Sequence, residues 1–178
     1  MRINPVARTL FVVAAVAFAG LPAVRLDVPF VAQEDRNGCG AAVIAMVMRY
    51  WRVESGDVQV IHRTLYSPQD RGVHASAMQR YFGLHGFRSY GFKGDWQDVE
   101  NHLRKGRPVI VALQAGRDSL HYVVVTGYEP AANLVLKHDP AVRKLVRQRR
   151  TEFERQWKAA GNWTLLALPD VTQSATAR

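Results

Sequence analysis

Between Gln33 and Trp51 the chain passes from a polar loop, QEDRNG, into an apolar run in which Ala41, Ala42, Val43, Ile44, Ala45, Met46, Val47 and Met48 follow one another. Apolar residues on every side describe a helix enclosed by the core, because a surface helix keeps a polar face. The pattern predicts a central helix over Cys39–Trp51. Further helices are predicted at Asp57–Tyr66, Ala75–Leu84 and Asp95–Lys105, the last with Asp95 as N-cap and Gly106 just past its end.

From Pro108 the period changes. PVIVAL, LHYVVVTGY and LVLKHD are short runs rich in β-branched residues, divided by turn residues, and they predict strands. TEFERQWKAAG predicts a helix over Glu152–Ala159 closed by Gly161, and NWTLLAL a last strand. Helices first and a mostly antiparallel sheet afterwards make an α+β architecture, with an N-terminal helical half packed on a C-terminal sheet half.

At 178 residues and 48% hydrophobic composition, the chain holds one domain with a real core. It opens with Arg2 and Arg8, followed by the uncharged stretch TLFVVAAVAFAGLPAV from Thr9 to Val24. That stretch is interrupted by Gly20 and Pro22 and falls short of the about 20 apolar residues a spanning helix needs. It predicts a secretory signal peptide over residues 1–23, cut after Ala19 or after Ala23. A domain over 24–169 and a polar tail over 170–178 follow. The expected location is periplasmic or extracellular, with membrane contact only where the signal segment is retained.

The formal charge is +9, and taking away Arg2 and Arg8 leaves +7. Much of the excess sits in RKLVRQRR, from Arg143 to Arg150, which reads as a solvated face. No aromatic residues interleave it and no nucleic-acid motif accompanies it, so nucleic acid is not an expected partner. No metal or other cofactor is expected either. His62, His74, His85, His102 and His138 show no HExxH or other paired short spacing.

Cys39 is the only cysteine, so an internal disulfide is excluded. A lone cysteine is most often a small buried apolar residue. The neighbours of this one argue for chemistry. A helix starting at Cys39 sets the sulfur among unpaired backbone N–H groups at the positive end of the helix dipole, where a thiolate is stabilised. Asn37-Gly38 is a turn dipeptide that tolerates positive φ and would aim the thiol out of the loop. The Cys39 N–H and the side-chain amide of Gln33 are the candidate donors to an oxyanion.

A base has to come from the sheet. If LHYVVVTGY and LVLKHD form a hairpin around EPAAN with Tyr128 opposite Leu134, then Asp139 faces Val123 and lies diagonally across from His121 on the same side. His138 then points to the other side. An odd slip of register would part His121 from Asp139. With that register kept, Cys39, His121 and Asp139 supply a nucleophile, a base and a group to orient the base, for acyl transfer through a thioester.

At these residues the chain resembles the papain-like cysteine peptidases, and in particular the bacteriocin-processing group that removes double-glycine leader peptides. VPFVAQEDRNGCGAAVIAMVMRYW is similar to that family's opening, with Gln33 at the oxyanion position and Cys39 at the nucleophile position; HYVVVTGY and HDPA are similar to its histidine and aspartate segments, at His121 and Asp139. The resemblance implies a papain-like fold, a cysteine peptidase, and a peptide or protein as substrate. The chain departs from the family's usual transporter setting, since the signal segment predicts export and the sequence shows no phosphate-binding glycine loop, so a stand-alone peptidase is expected. Two alternatives use the same residues: a non-catalytic peptide-binding domain on this scaffold, and a cysteine acyltransferase or amidase.

Overall fold

The computed structural model describes residues 22–52, 57–69, 71–117 and 119–170. Residues 1–21 of the expected signal segment, and all of the expected tail except Asp170, lie outside the described residues. Asp170 itself is tied back to the fold, accepting from Arg88 Nε at 3.0 Å.

In chain order the elements are β1 (Val24–Arg25), α1 (Cys39–Tyr50), α2 (Val58–Leu65), β2 (Tyr66–Ser67), β3 (Gly72–Val73), α3 (Ala75–Leu84), β4 (Phe87–Lys93), α4 (Trp96–Arg104), β5 (Val109–Gln114), β6 (Leu120–Glu129), β7 (Leu134–Asp139), β8 (Arg143–Arg149), α5 (Arg150–Ala159) and β9 (Trp163–Pro169). A 3-10 turn over Pro130–Ala132 joins β6 to β7. The main sheet has the order β4-β9-β5-β6-β7-β8, with β1 added beside β6, and every pairing in it is antiparallel.

Two apolar layers cover the two faces of that sheet. On one side α1, α2 and α3 pack over Ile110, Val124, Leu165 and Ala167. On the other, Val99 and Leu103 of α4 and Phe153 and Trp157 of α5 pack over Val109, Val111, Val123, Val125 and Val135. Gly40 through Met48 of α1 are all buried, as an all-apolar helix requires. The α+β class and the central helix are thus as the apolar pattern predicts. Asp57 and Asp95 cap α2 and α4, and Asp95 shares a capping box with Asp98.

Besides the two-residue strands β1, β2 and β3, two longer strands are ones the sequence pattern does not predict. β4 lies between α3 and α4 and pairs with β9 along its whole length. β8 is the basic run itself, at the opposite edge of the sheet. Edge strands with solvent-facing residues lose the alternation that marks a half-buried strand. Charged residues also suit an edge, because they discourage pairing with another chain.

The β6–β7 hairpin carries a second correction. Near the turn Glu129 faces Leu134 and Tyr128 faces Val135, one residue away from the expected pairing. Beyond Thr126 the register changes: Val125 faces Lys137 and Val124 faces His138. Thr126 is therefore the extra residue of a β-bulge. Its carbonyl accepts from Leu26 N–H at 2.7 Å, and its hydroxyl donates to the Leu136 carbonyl at 3.3 Å. The bulge restores, at the far end of the hairpin, the parity that puts His121 and Asp139 on one side.

Candidate active site

The loop before α1 is built by Asp35. Its side chain accepts from Asn37 N–H at 2.8 Å, and its carbonyl accepts from Gly38 N–H at 3.2 Å. Gly38 is the N-cap at φ −81°, so the turn needs no positive φ, contrary to the expectation from Asn37-Gly38. The reason for glycine is space: a Cβ there would stand 3.2 Å from Gln33 Cβ. No side chain caps α1 and its first turn holds no acid, which leaves the first amides and the positive end of the dipole to a partner anion. Cys39 begins the helix at this point and is half-buried.

His121 sits near the outer end of β6, half-buried, with Nε2 2.7 Å from Asp139 Oδ1. Cys39 is the other group that acts on the ring, and its interaction favours the charged form. With Nε2 occupied by Asp139, Nδ1 is the ring nitrogen left to face the sulfur. Burial works against a charged ring, but the hydrogen bond to Asp139 and the interaction with Cys39 outweigh it, and the His121 pKa is raised to about 9.

Asp139 Oδ1 also accepts from Ala141 N–H at 3.2 Å, and Oδ2 lies 3.5 Å from Lys137 Nζ. Burial penalises the carboxylate, yet the His121 hydrogen bond and charge, followed by Lys137, hold its pKa below the ordinary value. Lys137 is nearly buried and escaped the sequence reading, as a lysine in a strand is ordinarily solvated. The signal available was its place two residues before Asp139, on the same face of β7.

Gln33 reaches the site from the loop. Its backbone N–H donates to the Pro140 carbonyl at 3.0 Å, tying it to the residue after Asp139. One side-chain hydrogen donates to the Asp35 carbonyl at 2.8 Å, while Oε1 is buried without a partner. Exchanging oxygen and nitrogen would set Oε1 against that carbonyl, so the amide orientation is fixed. Nε2 keeps a second hydrogen.

Of the remaining histidines, His62 lies beside this loop, with Nδ1 3.4 Å from Asp35 Oδ2. His74 caps α3, and His138 donates from Nε2 to the Val28 carbonyl at 2.8 Å while Nδ1 accepts from Leu145 N–H at 3.1 Å. Among the described residues, no group of three His, Cys, Asp or Glu side chains is placed to hold a metal ion. Of the aromatics, Trp163 packs on Tyr122 and Trp96 on Phe153, within the two cores.

Comparison with known proteins gives the family and the fold. The model of the Peptidase_C39 like family matches residues 25–165. The chain is 31% identical over 128 residues to the lactococcin-G-processing and transport ATP-binding protein LagD of Lactococcus lactis subsp. lactis, covering 70% of this chain and 17% of that relative's length. The peptidase domain of Streptococcus ComA, a bi-functional ABC transporter involved in a quorum-sensing pathway, superposes with a TM-score of 0.67 at 25% identity, covering 79% of this chain and 97% of that one. A double glycine motif protease from an AMS/PCAT transporter, solved with its leader peptide, gives a TM-score of 0.66 at 22% identity, with 83% and 97% covered.

The fold is that of these peptidase domains. The chain belongs to the Peptidase_C39 like family.

Proposed function

We propose that the protein hydrolyses peptide bonds with Cys39 as nucleophile, His121 as acid and base, Asp139 as the group that orients His121, and Gln33 with the Cys39 N–H as oxyanion donors. The observation that carries this reading is the position of His121, held at 2.7 Å by Asp139 and interacting with a cysteine at the uncapped start of α1.

In the acylation step the Cys39 thiolate attacks the scissile carbonyl carbon and the carbonyl π electrons move to oxygen. The Cys39 N–H and the free hydrogen of Gln33 Nε2 donate to that oxyanion. The imidazolium passes its Nδ1 proton to the amine as the C–N bond breaks, leaving a thioester. Water then attacks the thioester and gives a proton to His121, and the thiolate departs as the acid product forms. Asp139 keeps Nε2–H bonded throughout, which fixes the ring's orientation and balances its charge.

The substrate in this reading is a peptide, supported by the relative solved with a leader peptide. The site of action is outside the cytoplasm, supported by Arg2 and Arg8 ahead of the apolar stretch from Thr9 to Val24. Cleavage of a peptide library by the mature protein, with Cys39→Ala as control, tests the reaction. Iodoacetamide labelling at neutral pH tests the nucleophile: Cys39 alkylating no faster than a free thiol would sink the assignment. Sequencing the N-terminus of protein recovered from the cell exterior tests export.

A further inference from the structure

Lys137 stands among valines. Its strand neighbours Val125 on β6 and Val146 on β8 are apolar, as is Val135 two residues before it. An aliphatic residue would fill the position at no desolvation cost, whereas a buried ammonium has to be paired. The pairing is with the carboxylate of the site: Nζ lies 3.5 Å from Asp139 Oδ2, with the two side chains 8% and 9% exposed. Asp139 thus divides its oxygens, with Oδ1 on His121 and Ala141 and Oδ2 on Lys137.

We infer that Lys137 is a positioning residue that balances charge: its ammonium takes up part of the negative charge of Asp139, weakens the carboxylate's hold on the His121 proton, and so makes the ring a better acid toward the leaving amine. The inference rests on the peptidase reading above. Because Ala141 N–H also anchors Oδ1, Asp139 keeps its orientation toward His121 without Lys137, and the part specific to Lys137 is electrostatic.

The other charged groups around it are few. His121 faces Asp139 from β6, Glu152 attracts the ammonium from the first turn of α5, and Arg143 pairs with Asp139 in register on β8 but is exposed, where solvent screens it. Burial lowers the Lys137 pKa from its ordinary value, against Asp139 and Glu152, which hold it up. A general acid works best when its pKa lies near the working pH, and His121 already stands at about 9 with Lys137 in place.

The test follows the His121 ring by NMR titration in histidine-labelled full-length protein, comparing wild type with Lys137→Met, Lys137→Gln and Lys137→Arg, each checked by circular dichroism for a folded chain. Loss of the charge in Met or Gln is expected to move the His121 midpoint up by about half to one pH unit, and Arg to leave it at the wild-type value. With an amide substrate, kcat should fall in Met and Gln more than with an ester whose leaving group needs no proton. A midpoint that stays in place, or moves down, in both neutral variants overturns the inference. The titration needs no turnover, so an inactive wild type would remove the peptidase reading while leaving the coupling between Lys137 and His121 measurable.

Discussion

His121 meets Asp139 at 2.7 Å because one residue, Thr126, is left out of the β6–β7 pairing. Continued from the turn without it, the register would bring Asp139 opposite Val124, whose side of the sheet is the one under α1. The residue that brings the two together is therefore 5 positions from one and 13 from the other. Next to it, β1 runs so close that a Cβ on Gly127 would lie 2.2 Å from the Val24 carbonyl oxygen and 3.0 Å from Arg25 Cα.

Substituting Gly127 by Ala should therefore push β1 off the sheet. The atoms in the way are backbone and have no rotamer by which to yield. Overpacking of this kind costs about 1–3 kcal/mol. Thermal unfolding should report a lower midpoint, with peptidase activity falling in step as the bulge loses the Leu26 bond that accompanies it. An unchanged melt would mean that β1 contributes nothing to the fold.

Helices and core strands were legible in the sequence because their signals are local: the apolar run of α1, the Asp caps of α2 and α4, and the β-branched runs of β5, β6 and β7. The charged edge strands β4 and β8 were not, since exposure erases the alternation. At Leu145 the chain also turns through φ 56°, where its N–H reaches His138, and Lys137 faces Val146 while Asp139 faces Arg143. No propensity marks a bulge, so the pairing drawn from Tyr128 was one residue off at the turn and correct beyond Thr126. Lys137 was missed for a related reason, as burial of a lysine depends on a partner that only the tertiary structure supplies.

Gln33→Ala isolates the proposed oxyanion donor. Loss of one such donor costs about 2.7–4 kcal/mol, or roughly 10²–10³ in kcat. Alkylation of Cys39 by iodoacetamide forms no oxyanion, so its rate should match the wild type. A parallel fall in both would show that the substitution disturbs the loop, through the lost bond to the Asp35 carbonyl, rather than the transition state.

In the proposed mechanism, protonation of His121 is expected to set the alkaline side of the pH profile. Its pKa is raised to about 9 from 6.5, so the imidazolium persists through neutral pH and kcat/KM should decline as pH rises through about 9. The same sign holds for stability: the ring's contribution is full below about 6.5 and is lost as pH rises through about 9. Asp139→Asn removes the acceptor charge and should bring the limb down toward the ordinary histidine value. The loss of a hydrogen bond to a charged group, about 1.5–3 kcal/mol, corresponds to roughly 10–100-fold in rate. A limb that stays in place in this variant would exclude His121 as the titrating group.

The acid side of stability depends on the neighbouring histidine. His138 is buried between the Val28 carbonyl and Leu145 N–H, which fixes it as the neutral tautomer with the proton on Nε2, and burial lowers its pKa from 6.5. The unfolded chain then takes up a proton first as pH falls below about 6.5, so this contribution is present above that value and is lost as the solution is acidified. In His138→Phe the carbonyl and the N–H both lose their partner, each at a cost of about 1–3 kcal/mol, but the titrating group is gone. The variant should melt well below the wild type at pH 7.5, and the gap between them should narrow steadily toward pH 5. Parallel melting curves across that range would mean that His138 titrates alike in the folded and unfolded chains, and that the two hydrogen bonds holding it do not discriminate against the charged ring.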